Sequence, residues 1–186
     1  LLLLIVISNN AQVNNVFSLG DIGSDRGFTS SSGSSTCPGS MDFVIPSGFV
    51  IDSIYTSYDM TAAGGAWKSE QISMLYSPTL AVDEGAISSG SGNTGGTQSY
   101  SRTTTAFNGG TGTVTIELHA GRTWGGSGCG TNYNKVDNNT WNVTVFYGQA
   151  PTCPPPSTLA SSNITANSAE ISWTSGGSET SWNIEY

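Results

Sequence analysis

The stretch Thr111 to Ala120 reads TGTVTIELHA, and nothing else in the chain limits the fold so sharply. Val114, Ile116, Leu118 and Ala120 fall on one side of an extended backbone, and Thr113, Thr115, Glu117 and His119 on the other. A period of two marks a strand with one face in a core and one toward water. It predicts a half-buried antiparallel strand. Trp141 to Tyr147 (WNVTVFY) repeats the pattern after an Asn138-Asn139 turn, with Trp141, Val143, Val145 and Tyr147 together, and suits the last strand of a module. In Phe49 to Met60, Val50, Ile54, Tyr58 and Met60 fall on one face with Asp52, and Phe49, Ile51 and Tyr55 on the other. Both faces are partly apolar, as in a central strand. Phe43-Val44-Ile45 leads into this run through a Pro46-Ser47-Gly48 turn. Gln71 to Leu80 places Ile72, Met74 and Tyr76 on one face and stops at Pro78, which cannot donate to a ladder. No segment carries a sustained 3.6-residue repeat, although Met60 to Gln71 leaves room for a short turn of helix around Ala62, Ala63 and Ala66.

Between these runs the chain is glycine, serine and threonine: 24 Gly and 51 Ser plus Thr among 186 residues. Strand formers separated by turn formers specify an all-β protein. For residues 13–148, long enough to bury a core, the expected fold is an antiparallel β-sandwich of jelly-roll or galactose-binding-like type. Thirteen acidic against five basic residues give a net charge of −8. The five bases, Arg26, Lys68, Arg102, Arg122 and Lys135, are scattered and cannot form the phosphate-neutralising patch that nucleic acid requires. Nucleic acid is excluded as a partner, and so is a polybasic membrane contact. Three of the acids (Glu170, Glu179, Glu185) lie beyond residue 148, so the central module is only mildly acidic. Recognition by shape, stacking and neutral hydrogen bonds is expected.

The two ends differ from the middle. Leu1 to Ser8 (LLLLIVIS), followed by Asn9, Asn10, Ala11 and Gln12, fits the apolar core of a secretory signal peptide. Eight residues fall well short of the ~20 that span a bilayer. Residues 1–12 are read as a truncated signal segment cleaved after Ala11, which predicts a secreted or cell-surface protein whose mature chain does not insert in a membrane. Residues 149–157 hold the Pro-rich joint APTCPPPS. Consecutive prolines form a stiff, extended spacer. Beyond it, Ala169 to Thr174 alternates as a strand, Ser175 to Ser178 turns, and Trp182 to Tyr186 follows.

Residues 158–186 resemble the opening of a fibronectin type III domain. In that family a proline-led first strand is followed by a second strand with a core Trp, matched by Trp173, and a third ending in a core Tyr, matched by Tyr186. A complete immunoglobulin-like sandwich takes about 100 residues. The resemblance therefore implies an incomplete sandwich, with Ile171, Trp173 and Ile184 lacking an opposing sheet. The signal-like start, the Pro-rich joint with its Cys and the Thr/Ser/Gly-rich body together resemble secreted multidomain proteins of Bacteroidetes. That likeness implies an exported or surface-attached series of β-sandwich modules. Trp67 to Gln71 (WKSEQ) is weakly similar to a stretch of bacterial surface and protease-accessory sandwiches, a likeness that carries over no functional residue.

Three cysteines are present. Cys37 and Cys129 lie in Gly/Ser loops of the same module and are expected to form a disulfide, as an exported protein would allow. Cys153 is left over, either to pair with a cysteine elsewhere in a longer parent chain or to stay free. One His and no Cys-x-x-Cys argue against zinc. Gly90-Ser91-Gly92-Asn93-Thr94-Gly95 matches G-x-G-x-x-G, but the strand, helix and acidic residue that make it a dinucleotide site are missing from its surroundings. His119 is the only histidine, on the polar face of a strand beside Glu117, where an exposed or hydrogen-bonded structural role outweighs catalysis. Glu70, Glu84 and Glu117 show no pairing that would suit glycoside hydrolysis. No catalytic residue is assigned, and no organic cofactor is expected.

Calcium is the inorganic ligand that the loops would suit, through Asp21 and Asp25, Asp83 and Glu84, and Asp137. Turn-forming Asp and Asn explain the same clusters without metal. Trp67, Trp124 and Tyr133 lie in or beside loops, and aromatic faces with polar neighbours stack on sugar rings. The alternative for Trp67 and Trp124 is that they cap the ends of the core. Asn138, Asn142 and Asn163 open glycosylation sequons but read as turn and strand residues. The expected function is a non-catalytic adhesion or carbohydrate-binding module of a secreted multidomain protein, with extracellular polysaccharide or cell-surface glycan as partner. The alternative is an accessory domain of a secreted hydrolase, peptidase or glycosidase, whose catalytic domain lies elsewhere.

Overall fold

A computed structural model describes residues 11–30, 34–85, 87–150, 155–177 and 182. The chain divides into two compact units, Leu1–Gln149 and Ala150–Tyr186. In the first, the strands are β1 (Ala11–Val16), β2 (Ile22–Asp25), β3 (Gly39–Val44), β4 (Phe49–Ala62), β5 (Gln71–Ser77), β6 (Val82–Asp83), β7 (Ser88–Ser89), β8 (Gly96–Thr104), β9 (Thr113–Arg122), β10 (Cys129–Val136) and β11 (Asn142–Gln149). Lys68–Glu70 is a 3-10 turn, the only helical segment among the described residues. The protein is all-β, as its alternation predicts.

The strands follow the order β1-β11-β4-β10-β2-β9-β5-β6, with β8 on β4, β3 on β9 and β7 on β5. Pairing is antiparallel except for one parallel bridge, Asp25 with Gly121. This continuous sheet folds over on itself. Ile54, Met60, Val143 and Val145 from β4 and β11 share a core with Phe43, Leu75, Val114, Ile116 and Leu118 from β3, β5 and β9. Trp141 is fully buried at one end, with its indole N–H on Thr56 Oγ1 at 3.0 Å and its ring 5.6 Å from Phe17.

Three strands depart from their expected faces. On β4, Ile51 and Ile54 are both fully buried although three residues apart. The register explains it: Tyr147 pairs with Ile51 and Phe146 with Ser53, so Asp52 is an extra residue in a bulge that turns Ile51 inward. On β5, Ile72, Met74 and Tyr76 do share a face, but it is not the main core; Phe28 covers it, with Ile87 beside. The opposite face, with Gln71, Ser73, Leu75 and Ser77, looks into the sandwich and is buried too. On β9 the apolar face is fully buried as predicted, but the outer face is open only in its first half. His119 is 3 % exposed, and Gly121 is buried because Phe28 lies so close that a Cβ there would stand 2.3 Å from its carbonyl oxygen. Within Met60 to Gln71 the expected turn of helix forms at Lys68–Glu70 and not around Ala62, Ala63 and Ala66, because β4 runs on through Ala62.

The second unit is a two-stranded antiparallel sheet, β12 (Ser157–Ser162) with β13 (Glu170–Thr174). Trp173 meets Trp182 edge to face at 5.4 Å. Leu159, Ile164 and Ile171 are exposed. The expectations placed on residues 1–10, on Cys153 and on Glu179, Ile184, Glu185 and Tyr186 lie outside the described residues.

Candidate functional site

Two polar arrangements stand out in the sandwich. The first seals the edge between β8 and β5. Tyr58 and Tyr100 stack at 5.2 Å. The Tyr58 hydroxyl bonds Ser73 Oγ, while Tyr100 donates to Gln71 Oε1 at 2.8 Å and Gln71 Nε2 donates to the Met60 carbonyl at 3.1 Å. Arg102 donates to the Tyr58 hydroxyl at 2.7 Å and reaches Glu84 through Nε at 2.6 Å and Nη2 at 2.5 Å. Glu84 also accepts from the Leu75 N–H at 2.6 Å. Burial pushes both tyrosine hydroxyls above their ordinary pKa. Desolvation works against the Arg102 charge, but Glu84 and Tyr58 outweigh it and hold its pKa above the ordinary value. Every polar group in this cluster has an internal partner, so it is a closed fastening between the two layers.

The second arrangement lies among the loops that flank β2, β9 and β10. A Cys37–Cys129 disulfide, with Cα atoms 6.2 Å apart, fastens it as the sequence predicts. Asp25 accepts from Gly27 N at 2.8 Å, Thr36 N at 2.8 Å and Thr36 Oγ1 at 2.7 Å. Desolvation works to raise its carboxyl, but the Thr36 and Gly27 bonds and the Arg122 charge hold it below the ordinary value. The Arg122 guanidinium donates through Nη2 to the carbonyls of Gly126 (2.8 Å) and Gly128 (2.9 Å), and through Nη1 to the Ser24 carbonyl. It therefore fixes the path of the glycine-rich loop.

The same guanidinium sits 5.4 Å from the centre of the Tyr133 ring. Gly125, at φ +94°, lies against that ring so closely that a Cβ would stand 2.7 Å from it. Glycine is needed at 125 on both counts. Trp124 meets Tyr133 edge to face at 5.5 Å and remains 48 % exposed. Trp67, 46 % exposed, belongs to the connection from β4 to β5 that borders this loop: Ala63 N donates to Tyr133 O at 2.7 Å, and Thr123 N to Glu70 O at 3.0 Å.

The aromatics picked out by sequence thus gather at one place but differ in part. Trp124 offers an open ring, Trp67 a second exposed ring on the neighbouring loop, and Tyr133 is a half-buried support. Neither Trp67 nor Trp124 caps the core; Trp141 does that. Sequence reasoning missed Arg122, whose role depends on carbonyls of a loop that only the fold brings under it.

The carboxylates considered for calcium are taken up by protein groups. Asp21 accepts from Lys135 Nζ at 2.6 Å and Asn138 N at 3.0 Å, and the Lys135 bond holds its carboxyl below the ordinary value. Asp137 accepts from Thr61 Oγ1 at 2.6 Å, Asp83 from Gly85 N at 2.7 Å, and Glu84 from Arg102. Among the described residues no three His, Cys, Asp or Glu side chains converge in a group that could hold a metal. His119 accepts from the Ser35 N–H at Nδ1 (2.9 Å), and its Nε2 pairs with Glu117 at 2.9 Å. Both ring nitrogens are engaged. In the Gly90–Gly95 segment, Gly92 and Thr94 carbonyls accept from Ser69 N and Lys68 N at 3.0 Å. Gly90 packs against the Lys68 carbonyl, 1.9 Å from where a Cβ would stand. The glycine run is a loop fitted to the 3-10 turn. No protein-family model matches this chain, and no curated protein matches it.

Proposed function

We propose that this chain is a non-catalytic glycan-binding or adhesion module of an extracellular multidomain protein. The carrying observation is Trp124: an indole about half exposed, yet propped by Tyr133, which Arg122 and Gly125 hold in place. A rigid aromatic face loses little entropy when a sugar ring stacks on it, and binding to pre-organised groups is tighter for that reason. The commitment of both His119 nitrogens supports the non-catalytic part of the reading. The Cys37–Cys129 disulfide supports an oxidising, extracellular setting. The second unit's exposed Ile171 and its Trp173, set against one ring rather than a core, support a fibronectin-like hairpin as the following module.

Retention of the full chain on immobilised polysaccharides and on a glycan array tests the reading. Binding should fall at least about tenfold on Trp124→Ala, the loss of one stacking contact worth about 1.4 kcal/mol, while the melting temperature stays nearly constant. No retention on any glycan would overturn it.

A further inference from the structure

A shallow groove of about 360 Å³ opens on the outer face of β4 and β8, lined by residues that include Ser57, Asp59, Ser99, Ser101, Thr140 and Asn142. Its origin is a gap in the sheet. β4 pairs with β11 as far as Ser57 and with β10 only from Met60 onward, and the turn through Asp137–Trp141 fills the interval. Outward-facing Ser57 and Asp59 of β4 stand opposite Ser101 and Ser99 of β8.

The polar groups in this groove are unevenly committed. Thr140 Oγ1 accepts from Asp59 N at 3.1 Å and donates to the Asp137 carbonyl at 2.7 Å, so it is used by the turn. Asn142 Nδ2 donates to the Thr140 carbonyl at 2.8 Å, which leaves its Oδ1 as the free end. The Asp59 carboxylate has no hydrogen bond or ion pair within the described residues, and neither do the hydroxyls of Ser57, Ser99 and Ser101. Apart from Asp52, every other described Asp and Glu has such a partner, from Asp21 with Lys135 to Glu170 with Asn163. Asp59 is thus an unpaired, half-buried acceptor in a concavity, surrounded by hydroxyls.

We propose that this groove is a saccharide subsite, taking a neutral pyranose whose vicinal hydroxyls donate to Asp59 and exchange hydrogen bonds with Ser57, Ser99, Ser101 and Asn142. The donor and acceptor inventory selects this class. A carboxylate and an amide oxygen accept only, and serine hydroxyls both accept and donate, so the complementary ligand must be rich in donors. The carboxylate and the absence of any basic residue in the lining disfavour phosphate or sulfate. A single carboxylate is a poor calcium site, which prefers several charged oxygens. The volume lies in the range of small-ligand sites. None of these residues belongs to the Trp124 platform. The subsite rests on the glycan-binding reading only for its ligand class.

The test is a nuclear magnetic resonance titration of the full chain with the methyl glycosides of glucose, galactose and mannose, each at millimolar concentration, and separately with calcium chloride. At least one glycoside should shift the amides of Ser57, Asp59, Ser99 and Ser101. Asp59→Asn should weaken that binding about tenfold, as expected when a charge-assisted bond becomes a neutral one, and Trp124→Ala should leave it unchanged. Shifts confined to Trp124 and its neighbours would overturn the subsite and leave the platform standing. Shifts at the groove alone would do the reverse. No shift with any glycoside, or groove shifts with calcium alone, would overturn the saccharide subsite.

Discussion

Arg102 and Arg122 are both drawn into the sandwich, and they are satisfied in different ways. Arg102 meets a carboxylate, with a two-point pair to Glu84 and a third bond to the Tyr58 hydroxyl. Arg122 meets backbone carbonyls, and its Nε has no partner among the described residues. Desolvation lowers the Arg122 pKa, against the pull of Asp25 and Tyr133, whereas Arg102 is raised by its partners. An ion pair closed on itself has nothing left for a ligand, so the β8–β5 edge is a structural fastening. An arginine spent on carbonyls sets the shape of a loop and leaves the aromatics above it available. The first arrangement secures the fold; the second positions a surface.

The largest effect should come from the fastening of the loop end. The Cys37–Cys129 bridge closes a loop with a sequence separation of 92, which corresponds to about 4–5 kcal/mol in the chain-entropy account. Replacing both cysteines by serine should lower the urea midpoint accordingly. Hydrogen exchange should speed up across Gly126–Gly130 well before it does at Leu75. A loss below about 1 kcal/mol would mean that Arg122 alone organises that end.

At the other region, Glu84→Ala should cost about 3–5 kcal/mol, because it leaves the Arg102 charge and the Leu75 N–H buried without their acceptor. The double variant Arg102→Met with Glu84→Leu should cost less than Glu84→Ala alone, since no charge is then stranded. Denaturant titration of the three proteins decides this. Equal losses for the single and double variants would show that packing, and not the unpaired charge, governs the edge.

The contrast between the regions also explains what was legible in the sequence. β9 and β11 announce themselves because their inward residues are apolar from Val114 to Ala120 and from Val143 to Tyr147, and the disulfide followed from two cysteines in Gly/Ser-rich stretches of one module. β8 and β10 give no such signal. Their inward positions include Tyr100, Arg102 and Asn134, polar residues tolerated there through partners on other strands or, for Asn134, without a side-chain partner at all among the described residues. The bulge at Asp52 is equally silent, because one extra residue reverses the faces on one side of it without changing the composition. Loop aromatics could be picked out as a group, but exposure could not be assigned: Tyr133 is a support and Trp124 the open face because of where Gly125 and Arg122 lie.

The smallest of these effects, and the one that separates the regions by pH, concerns Asp25. Its carboxyl is held below the ordinary 3.8, so the folded state favours the ionised form more than the unfolded chain does. That preference contributes fully above the unfolded pKa and is lost as pH falls through the lower, folded value. Asp25→Asn should therefore lower stability by about 1–3 kcal/mol at pH 7, the range for hydrogen bonds to a charged group. The gap to the parent protein should narrow as the solution is acidified below about pH 4. Urea midpoints for the two proteins from pH 7 to pH 3 measure it. A gap that stays constant across this range would show that Thr36 and Gly27 bind the side chain at 25 through its shape alone, and that the charge facing Arg122 contributes nothing to the loop end.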